Sequence, residues 1–478
     1  MAESPQFSQT TARLGSDPLG KLLLRLSLPS IVSMVAVSLY NLVDTFWVGK
    51  LGYQAVAAVT VTMPFFIMAF AVGAGTGVGI NALTSRRFGE RNSEAANQIT
   101  GQIFFLAVAL GLVFVLVTNL FPHQILKLCG ATDDILDLGS QYLRVIGAGV
   151  PLLLLNLINR NVFQASGDAV RPMIMTITSQ VVNAIFAPFL IFGWGPFPRL
   201  EMAGAGLAVV LANCVGVGMA LWYLFRGRTA YRIKARHCKP NWADITAIYR
   251  VGLPSIVMQA TEGVIFGLFN HVIAEFGSLA LAGIGIAIRI ADLAFMPIIG
   301  TSHGLLPIVG FSLGANLRER LWGAVRKTAT WLAILMAVAT LAVEIFTRPI
   351  ISAFNNDPEL LNLAVPGMRI FCSTFILIGP TIIFITTFQG LSKGKDAMLL
   401  SFARQLLFFL PGLYLLSYFF GLTGVWISMP VSDLLGFVTA AVWLAREYRL
   451  QNREFATLAL NRAGANAKER EIFEDEPD

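Results

Sequence analysis

Charge is what this chain has least of. Asp, Glu, Lys and Arg make up 13% of its 478 residues, about half the ~25% of a soluble globular domain. Residues 53–85, 172–198, 202–225, 370–392 and 405–432 carry none at all. Such stretches exclude an ordinary soluble domain, because each is long enough to cross a bilayer core with about 20 residues, or to cross and turn. Cysteine is equally scarce. Cys129, Cys214, Cys238 and Cys372 form no close pair, which argues against a zinc or redox motif. The first 20 residues are polar and lack the apolar core of a signal peptide, so the first helix itself is expected to direct membrane insertion. No Walker-type phosphate loop is present, which argues against direct ATP coupling. The glycines of Gly73-Ala74-Gly75-Thr76-Gly77-Val78-Gly79 lie within an apolar span with no strand before them, and close helix packing explains them better than nucleotide binding. No Ser/His/Asp grouping stands out, and no enzyme activity is expected.

What the chain has instead is apolar residues (55%), glycine (43 residues) and a mean hydropathy of +0.68. The expected fold is an all-α integral membrane protein. Its spans are about 24–48, 54–83, 97–118, 139–163, 172–193, 203–225, 252–274, 280–312, 328–347, 365–390, 399–419 and 423–445. The basic residues sort by loop. Arg86, Arg87 and Arg91 follow span 2, and Arg171 follows span 4. Arg226, Arg228, Arg232, Lys234, Arg236 and Lys239 follow span 6. Arg318, Arg320, Arg326 and Lys327 follow span 8, and Lys393, Lys395 and Arg404 follow span 10. Odd-numbered loops hold little beyond Lys50, Lys127, Arg199 and Arg348. Positive residues stay in the cytoplasm, so both termini and the even loops belong there, in a bacterial cytoplasmic (inner) membrane. The same sorting explains the net charge of +7 without nucleic acid.

The two halves repeat at a constant offset of 225. Leu28-Pro29-Ser30-Ile31-Val32 returns as Leu253-Pro254-Ser255-Ile256-Val257, Gly52 as Gly277, Gly89 as Gly314, Arg144 as Arg369, and Phe163-Gln164 as Phe388-Gln389. Six spans separate the copies, so both have the same membrane orientation. This is a parallel repeat of two six-helix lobes around a central cavity, with substrate expected near the midplane. The expected divisions are an N-terminal tail (1–20), a first lobe (21–226), a basic linker (227–248), a second lobe (249–446) and a polar, flexible C-terminal tail (447–478).

Polar residues within spans mark function by default. In span 1, Ser30, Ser33, Tyr40, Asn41 and Asp44 share a stripe roughly 100° wide, with Val37 its apolar member. Pro29 at its cytoplasmic end could allow a bend. In span 7, Ser255, Gln259, Glu262, Phe266 and Asn270 form a similar stripe, which suits a second-lobe cavity for substrate or cation. Under the offset Glu262 matches Val37, and Asp44 matches Phe269. Span 5 adds Gln180 and Asn183. Arg289 and Asp292, three residues apart, are expected to pair, and Arg160 and Glu344 to snorkel near span ends. Asp133-Asp134-Ile135-Leu136-Asp137 has the DDxxD spacing of prenyl-diphosphate enzymes. A helix start capped by Thr132 explains it better, because the counterpart Asn356-Asp357-Pro358-Glu359-Leu360 keeps the cap and loses the motif.

These features together resemble the multidrug and toxic compound extrusion (MATE) family over roughly residues 20–446. The carriers are Leu28-Pro29-Ser30, Asn41-Leu42-Val43-Asp44-Thr45 with Gly52, Arg87-Phe88-Gly89, Gln164-Ala165-Ser166-Gly167-Asp168, and Asn183 with Leu190-Ile191-Phe192-Gly193. The prokaryotic branch of DNA-damage-inducible type is most similar. The resemblance implies twelve helices in two lobes and antiport of organic, often cationic, substrates against H⁺ or Na⁺, with no other cofactor. It implies Asp44 as coupling residue, supported by Asn41 and Asn183, and a bend at Pro29. The sequence departs from the family pattern at Ala187, where an Asp is usual, and at Val209, where a Thr is frequent. A hard cation wants several oxygens, so Na⁺ coupling through the first lobe is expected to be weakened, while proton coupling needs only the one carboxylate. The expected function is secondary multidrug or metabolite efflux by a monomer in the lipid bilayer. A lipid-linked precursor flippase and a prenyl-type membrane enzyme are the alternatives.

Overall fold

The computed structural model describes residues 5–226, 229–354 and 357–474; Arg228 and Asn356 fall outside them. Every regular element among the described residues is helical. After α1 (Pro5–Ser16), the first lobe consists of α2 (Leu19–Gly49), α3 (Tyr53–Gly89), α4 (Ser93–Leu120), the short α5 (Pro122–Leu128), α6 (Leu136–Ala165), α7 (Val170–Phe192) and α8 (Glu201–Phe225). The second lobe consists of α9 (Trp242–Ala274), α10 (Ser278–Gly314), α11 (Arg318–Ser352), α12 (Pro358–Cys372), α13 (Phe375–Gly390), α14 (Gly394–Phe402), a π-helical stretch Ala403–Phe409, and α15 (Leu410–Glu474).

Among the described residues, ten helices are long and apolar enough to cross a membrane. The pair α12 and α13, bent by 42°, makes an eleventh span. The run 394–451 contains a break at Gly421 (φ 58°, ψ −139°), which divides it into two crossings and brings the number to twelve. The duplication extends to backbone conformation. Left-handed residues recur at the same offset: Gly52 and Gly277, Arg91 (φ 56°) and Asn316 (φ 60°), Gly167 and Ser392 (φ 60°). It extends to hydrogen bonds as well. Gln164 Nε2 donates to Ser30 Oγ at 3.4 Å, and Gln389 Nε2 to Ser255 Oγ at 3.2 Å.

The lobes meet along α2 with α10 and α3 with α9, and glycine makes the approach possible. A side chain on Gly89 would run into the Phe311 carbonyl, and one on its repeat mate Gly314 into the Arg86 carbonyl. A Cβ on Gly75 would lie 2.7 Å from the Ile256 amide nitrogen, and one on Gly300 would lie 2.7 Å from that of Ile31. These contacts all lie in the halves of the helices nearest the arginine-rich loops. Toward the other end Gly263 has nothing nearer than Ile67 at 3.8 Å, and Gly267, Gly277 and Gly285 have nothing within 4 Å. The cleft between the lobes therefore opens away from the arginine-rich end.

That closed end is further covered. Helix α1 docks there with Leu14 fully buried, and Arg320 donates to the carbonyls of Leu14 and Asp17 at 2.7 Å each. The basic linker is strapped onto the first lobe. Tyr231 donates its hydroxyl to the Val162 carbonyl at 2.6 Å, and Gln102 Nε2 donates to the carbonyls of His237 and Lys239 at 3.1 and 3.0 Å.

Three expectations need correction. The C-terminal tail from 447, expected to be flexible, continues α15 as helix to Glu474. Thr132 does not cap α6: the helix starts at Leu136 after a turn, with no side-chain cap. Asp133, before it, is drawn instead to Lys127 of α5 at 3.5 Å, and Asp137, in its first turn, lies 3.8 Å from His123 of α5. In the second copy Asp357 does cap, accepting from the Glu359 amide at 2.9 Å. Arg289 and Asp292 form no ion pair among the described residues, and both are exposed on α10.

Candidate functional site in the first lobe

Five helices of the first lobe each turn one face toward a common cavity of about 380 Å³. On α2 the face is Val37, Tyr40, Asn41 and Asp44; on α7 it is Thr176, Ser179, Gln180 and Asn183; on α6 it is Leu153, Asn156, Leu157 and Arg160. All three sets are spaced i, i+3, i+4, i+7, the spacing that aligns side chains on one side of an α-helix. Helix α8 contributes Val209 and Asn213, and α3 contributes Thr62 with a row of phenylalanines, among them Phe66 and Phe70. Asp44 is the only acid and Arg160 the only base on this wall.

The acid end is ordered by one network. Asn183 Nδ2 donates to the Tyr40 hydroxyl oxygen at 2.8 Å, and that hydroxyl faces Asp44 one turn along α2. Asp44 Oδ1 and Asn183 Oδ1 are buried and accept nothing from the described residues. Buried oxygens without donors are costly, so this pair is suited to share a proton or a ligand. Ala187, where the family pattern has an acid, is 1% exposed and packed with Tyr142, Leu190 and Ala208. Val209 sits in the cavity wall. Neither offers an oxygen-bearing side chain.

The remaining expected site residues distribute as follows. Asp44, Asn41, Asn183, Tyr40 and Gln180 come together in this cavity. Ser33 does not join them; it is buried and its hydroxyl bonds back to the Pro29 carbonyl at 2.9 Å. Helix α2 stays continuous through Pro29. In the second lobe Glu262 accepts from Gln405 Nε2 at 3.4 Å. Gln259 bonds its own helix at the Ser255 carbonyl, 3.3 Å away. Phe266 is exposed and Asn270 half-buried.

Sequence reasoning missed several participants. Arg160 was expected to snorkel at a span end, but α6 continues to Ala165, which draws Arg160 into the wall. Its phase with Leu153, Asn156 and Leu157 was a signal that could have found it. Arg404 was expected in a basic loop. Instead it lies in the π-helical stretch and pairs with buried Asp433 at 2.9 Å, while Thr374 donates to the same carboxylate at 3.4 Å. π-Bulges frequently re-aim side chains at functional sites. Glu344 pairs with Arg369 at 3.6 Å.

Comparisons with known proteins agree with this architecture. The sequence profile of the MatE family matches residues 29–189 and 254–415, one segment in each lobe. An FAD transporter of Shewanella oneidensis is 27% identical over 433 residues, covering 88% of this chain and 93% of that protein. The multidrug export protein MepA of Staphylococcus aureus is 25% identical over 434 residues, covering 90% and 95%. A solved MATE transporter of the MOP superfamily, described as outward-facing, superposes with a TM-score of 0.87 at 25% identity, covering 93% of this chain and 99% of that one.

Proposed function

Because the chain belongs to the MatE family of efflux transporters, we propose that it exports organic molecules by proton-coupled alternating access, with Asp44 as the coupling group. The observation that carries this reading is the single carboxylate of the first-lobe cavity, set beside the Tyr40–Asn183 bond with one oxygen unpartnered. Gain and loss of a proton there changes the charge of a water-poor cavity, and the two protonation states then favour different conformations. Ala187 and Val209 leave too few oxygens around Asp44 for a hard cation, which supports H⁺ over Na⁺. Asn41 and Asn183 orient the site. Pro29, which lacks an N–H to hold α2 straight, supplies the hinge.

With the arginine-rich loops in the cytoplasm, both termini lie inside and the open cleft faces outward. The protein works as a monomer in the cytoplasmic membrane. Glu262, beside Gln405 and Arg404, acts from the second lobe as a polar lining of the central cleft. FAD transport and multidrug export among the relatives make ring-bearing organic molecules the first cargoes to try.

The test is uptake of a fluorescent organic cation and of a flavin into proteoliposomes under an imposed pH gradient and, separately, an imposed Na⁺ gradient. Transport driven by the pH gradient and lost in Asp44→Asn is expected. Transport driven by Na⁺ alone, or an Asp44→Asn variant as active as wild type under the pH gradient, would remove Asp44 from the coupling role.

A further inference from the structure

Arg160 is out of place by every electrostatic standard of this fold. It projects from α6 into the first-lobe cavity and makes no ion pair among the described residues. Arginine keeps its charge at any physiological pH, and Arg160, half-buried, presents that charge to the cavity. Asp44 lies on the same wall but at the other end. Arg160 is five residues before the end of α6, and Thr176 six residues after the start of α7, so both sit roughly 8–9 Å from the turn joining these helices at 1.5 Å per residue. Asn183, which bonds Tyr40, is a further seven residues along α7, about 10 Å away.

A second, independent observation lies at the same depth. The hydroxyls of Thr176 and Ser179, 4% and 5% exposed, face the cavity and have no hydrogen-bond partner. A planar guanidinium and two hydroxyls, presented from adjacent helices and all lacking an acceptor, are the donor set that holds a phosphate.

We infer that the inner end of the first-lobe cavity is an anion subsite, in which Arg160, Thr176 and Ser179 bind the phosphate of an organic cargo whose flat ring lies against Phe66 and Phe70 of α3. The inference deepens the transport reading by naming a cargo class, and it rests on the cavity being the cargo site. It makes the cavity two-ended: a proton-exchanging acid near the mouth and a fixed positive charge at the base.

The test is equilibrium binding to the full chain in nanodiscs, read by flavin fluorescence, with riboflavin and riboflavin 5′-phosphate as probes that share a ring and differ in the phosphate. Wild type should prefer the phosphate form by about tenfold or more. Arg160→Gln should weaken the phosphate form by about 10–100-fold, the range of a charge-assisted hydrogen bond, and leave riboflavin within about twofold. Arg160→Lys should fall between, as should Thr176→Val combined with Ser179→Ala. Riboflavin binding serves as the folding control for each variant. If Arg160→Gln fails on both probes, Arg160→Lys and the hydroxyl variant decide, and an equal loss of both probes there overturns the subsite. So does equal affinity of wild type for the two flavins. Phosphate-selective binding without gradient-driven transport would sink the transport reading alone, and gradient-driven transport without phosphate selectivity would sink the subsite alone.

Discussion

The two lobes descend from one six-helix unit, yet they use the same interior space in opposite ways. In the first lobe Ser179 of α7 and Asn213 of α8 line the cavity. Their counterparts in the second lobe are Arg404, at the offset of 225, and Asp433. The offset shrinks to 220 for the last helix because the connection at Gly421 is shorter. Two pairs of close approaches support the match: Gly216 abuts Ser179 as Gly436 abuts Arg404, and Gly204 abuts the Leu190 carbonyl as Gly424 abuts the Leu416 carbonyl. Likewise Val37 and Gln180, on the cavity wall, correspond to Glu262 and Gln405, which are hydrogen-bonded to each other. One lobe leaves a chamber lined by neutral polar groups and keeps its two charges apart, while the other fills the same space with charges that satisfy one another. The difference teaches that a duplicated scaffold can diverge inside while its frame stays the same: one lobe keeps a cavity lined by unpartnered polar groups, and the other pairs its interior charges.

The largest effect should come from unpairing the second lobe. Asp433 is 3% exposed and Arg404 is mostly buried. Removing one partner leaves a buried charge uncompensated, so Asp433→Asn or Arg404→Gln should cost about 3–5 kcal/mol, whereas replacing both with apolar residues of similar volume should be close to neutral. Thermal unfolding in detergent measures this directly. Single variants as stable as wild type would mean the pair is solvated and the contrast between the lobes is false.

Next comes Asp44→Asn. The amide keeps the shape of the carboxylate but cannot exchange a proton, so pH-gradient-driven transport should fall by about 10–100-fold, the span of a typical coupling free energy, with little change in stability. Glu262→Gln should do much less. Its bond to Gln405 is long, 3.4 Å, and such a bond contributes about 0.5–1 kcal/mol, so transport should stay within a few-fold of wild type. A Glu262 variant as inactive as the Asp44 variant would reverse the proposed division and place coupling in the second lobe.

How much of this was open to sequence reading follows from where each signal comes from. Spans and duplication were legible because they rest on long apolar runs and on short strings repeated at one spacing, such as Leu28-Pro29-Ser30 and Leu253-Pro254-Ser255. The acid end of the cavity was legible because Tyr40, Asn41 and Asp44 fall on one stripe of one helix. Arg160 and Arg404 were not, since a charge near an expected span boundary reads as solvated, and both helices extend further than hydropathy suggests. The Arg404–Asp433 pair joins two helices separated by the Gly421 break, a contact that periodicity along a single helix cannot reveal. Arg289 and Asp292 show the reverse error: a spacing of three permits a pair but does not require one.

The smallest expected effect sharpens the comparison at the outer surface, where α6 and α12 begin. Thr132 and Asp357 occupy equivalent positions under the offset of 225, and only Asp357 caps its helix, accepting from the Glu359 amide beside Pro358 at the first turn. Asp357→Ala should therefore cost about 1 kcal/mol, the usual loss for an N-cap. Thr132→Ala should cost nothing measurable, because α6 starts four residues later, Asp133 between them lies against Lys127, and Asp137 in the first turn lies against His123. Those pairs are exposed and contribute at most about 1 kcal/mol, so Asp133→Ala should also leave unfolding temperature and transport close to wild type. Unfolding of the three variants side by side measures all of this. Equal losses at Thr132 and Asp357 would mean that the first lobe keeps the ancestral cap in solution and that the two helix starts have not diverged.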